Sequence, residues 1–519
     1  MVDVATHVFT PKRTVVLVGA GTGALLAYRW IRAEYDSTVL GTSSLARGAE
    51  VARLSSRVGG SYATTQARRV FASAERKTKL NEEFQLKTAA QVTETLGSMK
   101  GVLMKIGQLA SFLDDGMPEN MRTSLAQLQQ DAPPMSVELA AGVIQGELGA
   151  PPDRLFAEWD PIPIAAASIG QVHRAITHDG QAVAVKVQYP GVDAAIRSDL
   201  ANIGPIISMM GVLFPALDPG PIVDELRDRL IEELDYRREA ANQSMFADWY
   251  RDHPFIHVPS VIAELSSDRV LTSELADGVQ FAEMESWAQS EKDLAAESLF
   301  RFVFRSLYRF HAFNGDPHPG NYLFRPGGRI TFLDYGLVRK FESADITLLQ
   351  QMIQTMILDR DLTAFRVVLE QAGILRRGAP LSNERVADYV GLYYDCVRDD
   401  KVAVLTAEYA SAAARRFMTG QGDFRDVMKW TNLPPEFVVL QRINLGLYAI
   451  LGRLNATANW RRIAEELWPM TDGDASTELG REESEWLATK SDAIPQKRVR
   501  TVTKMVANRD MTPDSRHRP

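Results

Sequence analysis

The chain has 519 residues, 45% hydrophobic and 24% charged, more than one hydrophobic core usually organises, so more than one lobe is expected. Its 66 acidic against 58 basic residues give a formal charge of -8, which argues against a general nucleic-acid binder whose affinity must come from neutralising phosphates. The single cysteine, Cys396, excludes an internal disulfide and a thiolate metal cluster and fits a reducing cytoplasm; beside Tyr393, Tyr394 and Asp395 it reads as a partly buried structural thiol rather than a reactive one.

In chain order, Lys12 and Arg13 precede an apolar run from Val15 to Ile31 that Gly19, Gly21, Gly23 and Arg29 interrupt. A secretory signal would need a small-residue cleavage site where Tyr28, Arg29, Trp30 and Arg32 stand, so cleavage is not expected. The run is short for a bilayer span of about twenty residues. With Arg29 able to snorkel, it is compatible with a membrane anchor or with lodging at an interface. Gly19, Gly21 and Ala24 also satisfy the G-x-G-x-x-G/A turn of a dinucleotide fold after the strand-like Val15 to Val18. That oxidoreductase reading needs a second strand ending in an acidic residue about twenty positions on. The chain runs instead into Thr42, Ser43 and Ser44, which makes it the remote alternative.

From Glu83 to Leu113, the apolar residues Val92, Leu96, Met99, Leu103, Ile106, Ala110 and Leu113 recur every three or four positions, one face of a long helix. Gly101 and Gly107 interrupt that face, each at a cost of about 1 kcal/mol relative to alanine. Asp131, Pro133 and Pro134 set a boundary near residue 135. Val183 to Gln188 reads as a strand closed by Tyr189, Pro190 and Gly191. Ile222 to Phe246 reads as a charged amphipathic helix, and Val258 to Ala263 and Val270 to Glu274 as short strands. A small mixed lobe follows from these elements. Helical periodicity from Lys292 to Phe313, and past residue 343 to about Leu487, makes the next lobe helical. Lys497, Arg498, Arg500, Lys504 and Arg509 belong to an aperiodic tail, a solvated charge run with attraction to anionic lipid as the minority reading.

The chemistry concentrates in Asp316-Pro317-His318-Pro319-Gly320-Asn321 and, after a hairpin turned by Arg325 to Arg329, in Asp334-Tyr335-Gly336. In kinase chemistry the first aspartate positions the attacking hydroxyl, the asparagine holds one magnesium, and the second aspartate bridges magnesium to the phosphates. Asp316 and Asn321 have the D-x-x-x-x-N spacing, and Asp334 opens a D-F-G equivalent with tyrosine in the middle. Taken singly, each would be a turn or strand-end residue; in order, downstream of a V-A-x-K strand, they favour catalysis. His318, between two prolines, is given a loop-fixing role. Lys186 closes Val183-Ala184-Val185-Lys186 and would grip the ATP phosphates, with a partner among Glu232, Glu233, Asp235 and Glu239. The loop over the phosphates would be Ala165-Ala166-Ala167-Ser168-Ile169-Gly170, with alanines where kinases use glycines; its backbone amides can still face phosphate.

These residues resemble the UbiB/ADCK (AarF-like) atypical kinases over roughly residues 85 to 345. Lys105-Ile106-Gly107-Gln108 matches the family's KxGQ signature, Ala165 to Gln171 its alanine-rich loop, and Glu233-Leu234-Asp235 its ExD motif, continued by Glu239-Ala240-Ala241-Asn242. The resemblance implies that Lys105 and Gln108 lie over the nucleotide cleft close to Glu233 and Asp235, and that Glu233 is the partner of Lys186. It also implies Mg2+-dependent ATP binding, ATPase or unorthodox kinase activity, and a link to isoprenoid-quinone or other membrane-lipid metabolism. The sequence adds that Gly336 is followed closely by a helix start at Glu342-Ser343-Ala344, which leaves no room for a long peptide-holding activation loop.

The expected fold class is therefore α+β: a protein-kinase-like bilobal fold with an N-terminal helical KxGQ extension. Its expected divisions are an apolar segment (1–40), the extension (41–135), an N-lobe (136–280), a helical C-lobe (281–487) and a basic tail (488–519). The expected catalytic residues are Asp316, Lys186 and Glu233. Ala165, Ala166, Ala167, Ser168, Ile169, Gly170, Lys186, Lys105 and Gln108 are assigned to ATP, and Asn321 and Asp334 to Mg2+. A lipid or quinone-precursor ligand and an anionic membrane surface are the expected partners, nucleic acid is not, and the location is cytoplasmic with membrane association through the N-terminal segment. The competing reading is a nucleotide-binding scaffold that transfers no phosphate.

Overall fold

The computed structural model describes residues 135–167, 169–201, 231–315, 317–418, 424–432, 435–471 and 473–490. The apolar run 15–31, the helix expected over 83–113 and the basic tail lie outside those residues. Ser136 starts helix α1 (Val137–Leu148) by accepting from the Leu139 N–H, and Gly149 ends it at a φ of 80°, a conformation glycine adopts without steric cost. Ala140 and Ile144 on α1 are buried in one apolar cluster with Phe156, Ala175, Val183, Val185, Val187 and Val270.

Those valines come from a four-stranded antiparallel sheet. Its strands β1 (Glu158–Ala167), β2 (Gly170–Ile176), β3 (Ala182–Gln188) and β5 (Val270–Glu274) lie in that order. Side chains alternate across a strand. Val183, Val185 and Val187 therefore enter the core beside α1, while Ala184 and Lys186 point to the opposite face, which borders the cleft. After β3 comes α2 (Val192–Ala201).

The continuous helix expected from Ile222 to Phe246 is not formed. Within the described residues it breaks at Asp235, which has extended backbone and accepts from the Arg237 and Arg238 N–H groups, so it is the N-cap of α3 (Tyr236–Trp249). A cap cannot be a helix interior, and the residues before it belong to another segment. The strand expected over Val258–Ala263 is displaced to β4 (Ile256–His257), since Pro259 has no N–H to give a ladder. Val261 keeps only an isolated bridge to Ser273.

The second lobe is built on α4 (Gln289–Phe310). After it, β6 (Ala312–Asn314) pairs with β9 (Val338–Lys340), and these two short strands bracket the hairpin of β7 (Tyr322–Arg325) and β8 (Arg329–Phe332). Gly327 and Gly328 turn that hairpin at φ 77° and 70°. Helix α5 (Ser343–Ile353) starts with a capping box between Glu342 and Asp345. The chain then continues almost wholly as helices, among them α6 (Leu362–Gln371), α7 (Pro435–Arg453), α8 (Trp460–Leu467) and α9 (Glu478–Thr489). A fully buried Arg301 on α4 ties α4, α8 and α9 together. It donates to Glu297 within α4 at 2.7 Å, to Glu466 on α8 at 2.7 Å and to Glu483 on α9 at 2.9 Å. Cys396 is buried here; burial pushes its thiol up to about 11, and its Sγ lies 3.3 Å from the Tyr448 hydroxyl. It is a structural thiol.

Candidate active site

Lys186 reaches the cleft from the middle of β3, where Val172 of β2 and Leu271 of β5 are its backbone neighbours. Its Nζ donates to both carboxylate oxygens of Glu239, at 2.7 and 2.9 Å, and lies 3.7 Å from Asp334 Oδ2. The ammonium also sits 4.9 Å from the centroid of the Tyr236 ring, a favourable cation–π position. Burial works to lower the Lys186 ammonium, but the Glu239 and Asp334 carboxylates more than reverse this and hold it well above its ordinary range. Lys186 is therefore a fixed positive charge at the cleft.

The glutamate on Lys186 is thus Glu239, where Glu233 was expected. The cause is the cap: with Asp235 closing the start of α3, Glu239 falls in the first helical turn on the same buried stripe as Tyr236, Gln243 and Phe246, facing the sheet. Glu233 lies before the cap. A Cβ on Gly336 would come 3.9 Å from its Cγ and 3.8 Å from Glu239 Oε2, so both glutamates stand beside the Asp334-Tyr335-Gly336 turn. A signal for Glu239 was available, because a charged residue on the buried stripe of an amphipathic helix needs a cation to meet it. Burial pushes the Glu239 carboxyl up to about 7 against the pull of Lys186, with Asp334 and Glu233 adding to the rise. One ammonium shared by that many carboxylates leaves the site short of positive charge.

Asp334 is held where it is by its surroundings. Its Oδ1 accepts from the Gly336 N–H at 2.9 Å, while its backbone carbonyl accepts from Asn314 Nδ2 at 2.5 Å. The next carbonyl, that of Tyr335, accepts from Asn242 Nδ2 of α3 at 3.1 Å. Tyr335 itself is fully buried, its ring 5.0 Å from that of Phe246. Sequence reasoning missed the roles of Asn242 and Asn314; Asn242 stands one turn after Glu239, so the same helix face sets both the lysine and the aspartate. The Asp334 side chain remains 33% exposed toward the cleft. Asn321 ends the short turn Pro319–Asn321 and its carbonyl accepts from the Leu333 N–H at 3.0 Å, which ties the turn to the strand leading into Asp334. His318 Nδ1 accepts from the Gly320 N–H at 3.1 Å, a loop-fixing contact.

The alanine-rich segment is a hairpin. Ala165, Ala166 and Ala167 pair with Val172, Gln171 and Gly170, and Ala165 and Ala166 are exposed. Ile169 is buried, and its carbonyl accepts from the Tyr189 N–H. Gly170 is needed for sheet packing: a Cβ there would stand 2.2 Å from the Val187 carbonyl oxygen. Of the residues assigned to the site from sequence, Lys105, Gln108, Ser168 and Asp316 lie outside the described residues. Lys186, Glu239, Asp334 and, beside them, Glu233 are brought together.

Comparison with known proteins matches residues 127–368 to the ABC1 atypical kinase-like domain. The atypical kinase COQ8B, mitochondrial, of Rattus norvegicus is 35% identical over 49% of this chain and 48% of its own length. The atypical kinase COQ8, mitochondrial, of Saccharomyces cerevisiae is 28% identical over 73% of this chain and 75% of its own length. The chain thus spans about half the length of the rat relative. Among solved structures, the Rv3197–erythromycin complex of Mycobacterium tuberculosis superimposes with a TM-score of 0.55 at 32% identity, over 75% of this chain and 98% of that one. With a kinase-like fold, a lysine–glutamate pair beside an Asp-Tyr-Gly turn, and these matches, the chain belongs to the UbiB/ADCK (ABC1) family of atypical kinase-like proteins.

Proposed function

We propose that this chain binds ATP with Mg2+ in the cleft between the alanine-rich hairpin and Asp334, and acts as an atypical kinase or ATPase. The observation that carries the reading is the meeting of Lys186, Glu239 and Asp334, with Asp334's backbone pinned by Asn314 and followed by one held by Asn242. Lys186 would grip the α- and β-phosphates, oriented by Glu239. The shortage of positive charge around Asp334 suits a divalent cation, and Asp334 with Asn321 would hold Mg2+, which offsets phosphate charge when bound. Asp316 would position the acceptor hydroxyl or water, taking its proton as the γ-phosphoryl leaves ADP. Lys105 and Gln108 would gate the cleft.

The acceptor is proposed to be small or lipid-like. From Gly336 the chain enters β9 and then α5 at Ser343, so the segment that holds a peptide in ordinary protein kinases is absent between them. One solved structure that this chain resembles is a complex with erythromycin, in keeping with a fold that takes small molecules. A role in isoprenoid-quinone or other membrane-lipid metabolism follows from the family resemblance, with residues 15–31 as the membrane-associated segment. Among the described residues no helix is long and apolar enough to cross a membrane.

Phosphate release from ATP with magnesium, with and without anionic liposomes, tests the reading on the full chain and on Asp334→Asn and Lys105→Ala. Release that vanishes in Asp334→Asn and rises with liposomes or in Lys105→Ala is the expected result. Tight ATP binding with no release under any condition would leave a nucleotide-dependent scaffold in its place.

A further inference from the structure

The back face of the small sheet is mostly apolar, and strand β2 places two polar side chains on it. On β2, Gln171 is 1% exposed and His173 fully buried, on the same side of the strand as Ala175, which joins Val183, Val185 and Val187 in the core beside α1. Buried polar groups of this kind persist only when hydrogen-bonded, and these two are. Gln171 Oε1 accepts from the Met135 N–H at 2.9 Å. Its Nε2 lies 2.8 Å from His173 Nε2, and His173 Nδ1 lies 2.9 Å from the Asp160 carbonyl oxygen.

One arrangement of protons satisfies every contact. With Gln171 Oε1 accepting from Met135, its amide N–H must donate to His173 Nε2, so the imidazole proton sits on Nδ1 and goes to Asp160. An imidazolium would set N–H against N–H. The Asp160 carbonyl needs this donor because β1 bulges there: Trp159 pairs with Ala175 and Pro163 with His173, so three residues oppose Arg174 alone. Pro161 and Pro163 cannot supply N–H groups. The Trp159 ring stacks on the imidazole at 4.5 Å. After a second register shift between Pro163 and Ala165 the strand enters Ala165, Ala166 and Ala167, so its direction there decides where the hairpin stands relative to Lys186.

We propose that Gln171 and His173 are positioning residues for the nucleotide, a neutral hydrogen-bond relay that fixes the bulged strand leading into the alanine-rich hairpin to Met135, just ahead of α1. The proposal rests on the nucleotide reading of the cleft. In this role His173 would touch neither phosphate nor metal and would act through the hairpin. Burial lowers the His173 pKa, while hydrogen bonding to the Asp160 carbonyl and the Asp160 charge work to raise it. That carboxylate accepts from the Ile162 N–H at 2.9 Å. The neutral relay therefore persists through the ordinary histidine range and is lost only below it, as acid forces a proton onto Nε2.

The test is calorimetric titration of the full chain with Mg-ATP at pH 7.5 and at pH 5.0, on wild type, His173→Phe, His173→Asn and Gln171→Met. Melting temperatures and hydrogen exchange across 158–176 are measured alongside. His173→Phe keeps the ring stack and removes both hydrogen bonds; its affinity should fall roughly tenfold, the scale of one lost buried hydrogen bond, with faster exchange across the hairpin. His173→Asn, whose amide can still donate to Asp160, should recover much of the loss. The wild type should weaken more between the two pH values than His173→Phe does. Equal affinities and equal pH dependence in wild type, His173→Phe and Gln171→Met would overturn the proposal. So would a loss that merely tracks the melting temperature. A wild type that binds no Mg-ATP would overturn the cleft reading, and the nucleotide role of the relay with it; a wild type that binds while the variants are indistinguishable from it overturns the relay alone.

Discussion

Because Asp235 takes the N-cap of α3, the glutamate that enters the cleft is the one four residues later, and Glu233 is left ahead of the helix. The two carboxylates can be separated by experiment. Glu239→Gln preserves shape but removes the charge that orients Lys186, and ATP affinity should fall by roughly tenfold or more, the range of a lost charge-assisted hydrogen bond. Glu233→Gln leaves the Lys186–Glu239 pair standing and should cost less, as titration with Mg-ATP would show; a larger loss in Glu233→Gln would reverse the assignment. Lys186 and Asp334 were legible because one closes and the other opens a short motif whose neighbours fix its setting. Glu239 was legible only as a charge on a buried stripe. The ExD resemblance pointed to Glu233 instead, since a motif gives residue types and spacing but not the residue at which a helix begins.

At the scale of elements, the closeness of β2 to β3 governs the site. Gly170 faces Gln188 across that pair, and a methyl at Gly170 would meet the Val187 carbonyl oxygen and carbon at 2.2 and 2.9 Å, backbone atoms that cannot swing aside. Gly170→Ala should therefore splay the two strands and cost about 1 to 3 kcal/mol, seen as a lower melting temperature; an unchanged melting temperature would show that the sheet accommodates the methyl. The β7–β8 hairpin and β3 could be read from alternation and turn residues, and the start of α5 from its capping pattern. The bulge in β1 and the displacement of β4 were harder to read, because both follow from prolines that remove ladder donors in runs otherwise suited to strands. The hydrogen bonds of Asn242 and Asn314 cross between elements far apart in the chain, and spacing carries no trace of them.

For the whole molecule, the helical lobe carries the Asp334 turn, and its ionic centre sets its response to acid. Burial alone would raise the Glu483 carboxyl, but Arg305, His253 with its Nε2 3.7 Å away, and Arg301 more than reverse this and hold it well below its ordinary range. A depressed carboxyl contributes stability that is present above the unfolded value near 4.5 and is lost as pH falls through the folded one. The lobe should therefore lose stability steeply below about pH 4.5, and Glu483→Gln should flatten that step while lowering stability at neutral pH by about 3 to 5 kcal/mol. Melting curves from pH 7 to pH 3 would show it; a parallel profile in the variant would mean that other carboxylates govern acid unfolding. The two-lobed plan was apparent from composition and periodicity, whereas this centre was not, since Arg301, Glu466 and Glu483 meet from three separate helices.

The most direct measurement is the affinity of the full chain for ATP, with magnesium and with the metal chelated, beside the same titrations of Asp334→Asn. That substitution keeps an oxygen for the Gly336 N–H while removing the charge that would hold the cation. A cleft organised around Lys186, Glu239 and Asp334 predicts binding that tightens with magnesium in the wild type and a largely lost magnesium effect in Asp334→Asn. ATP affinity that is indifferent to both the metal and the substitution would contradict it.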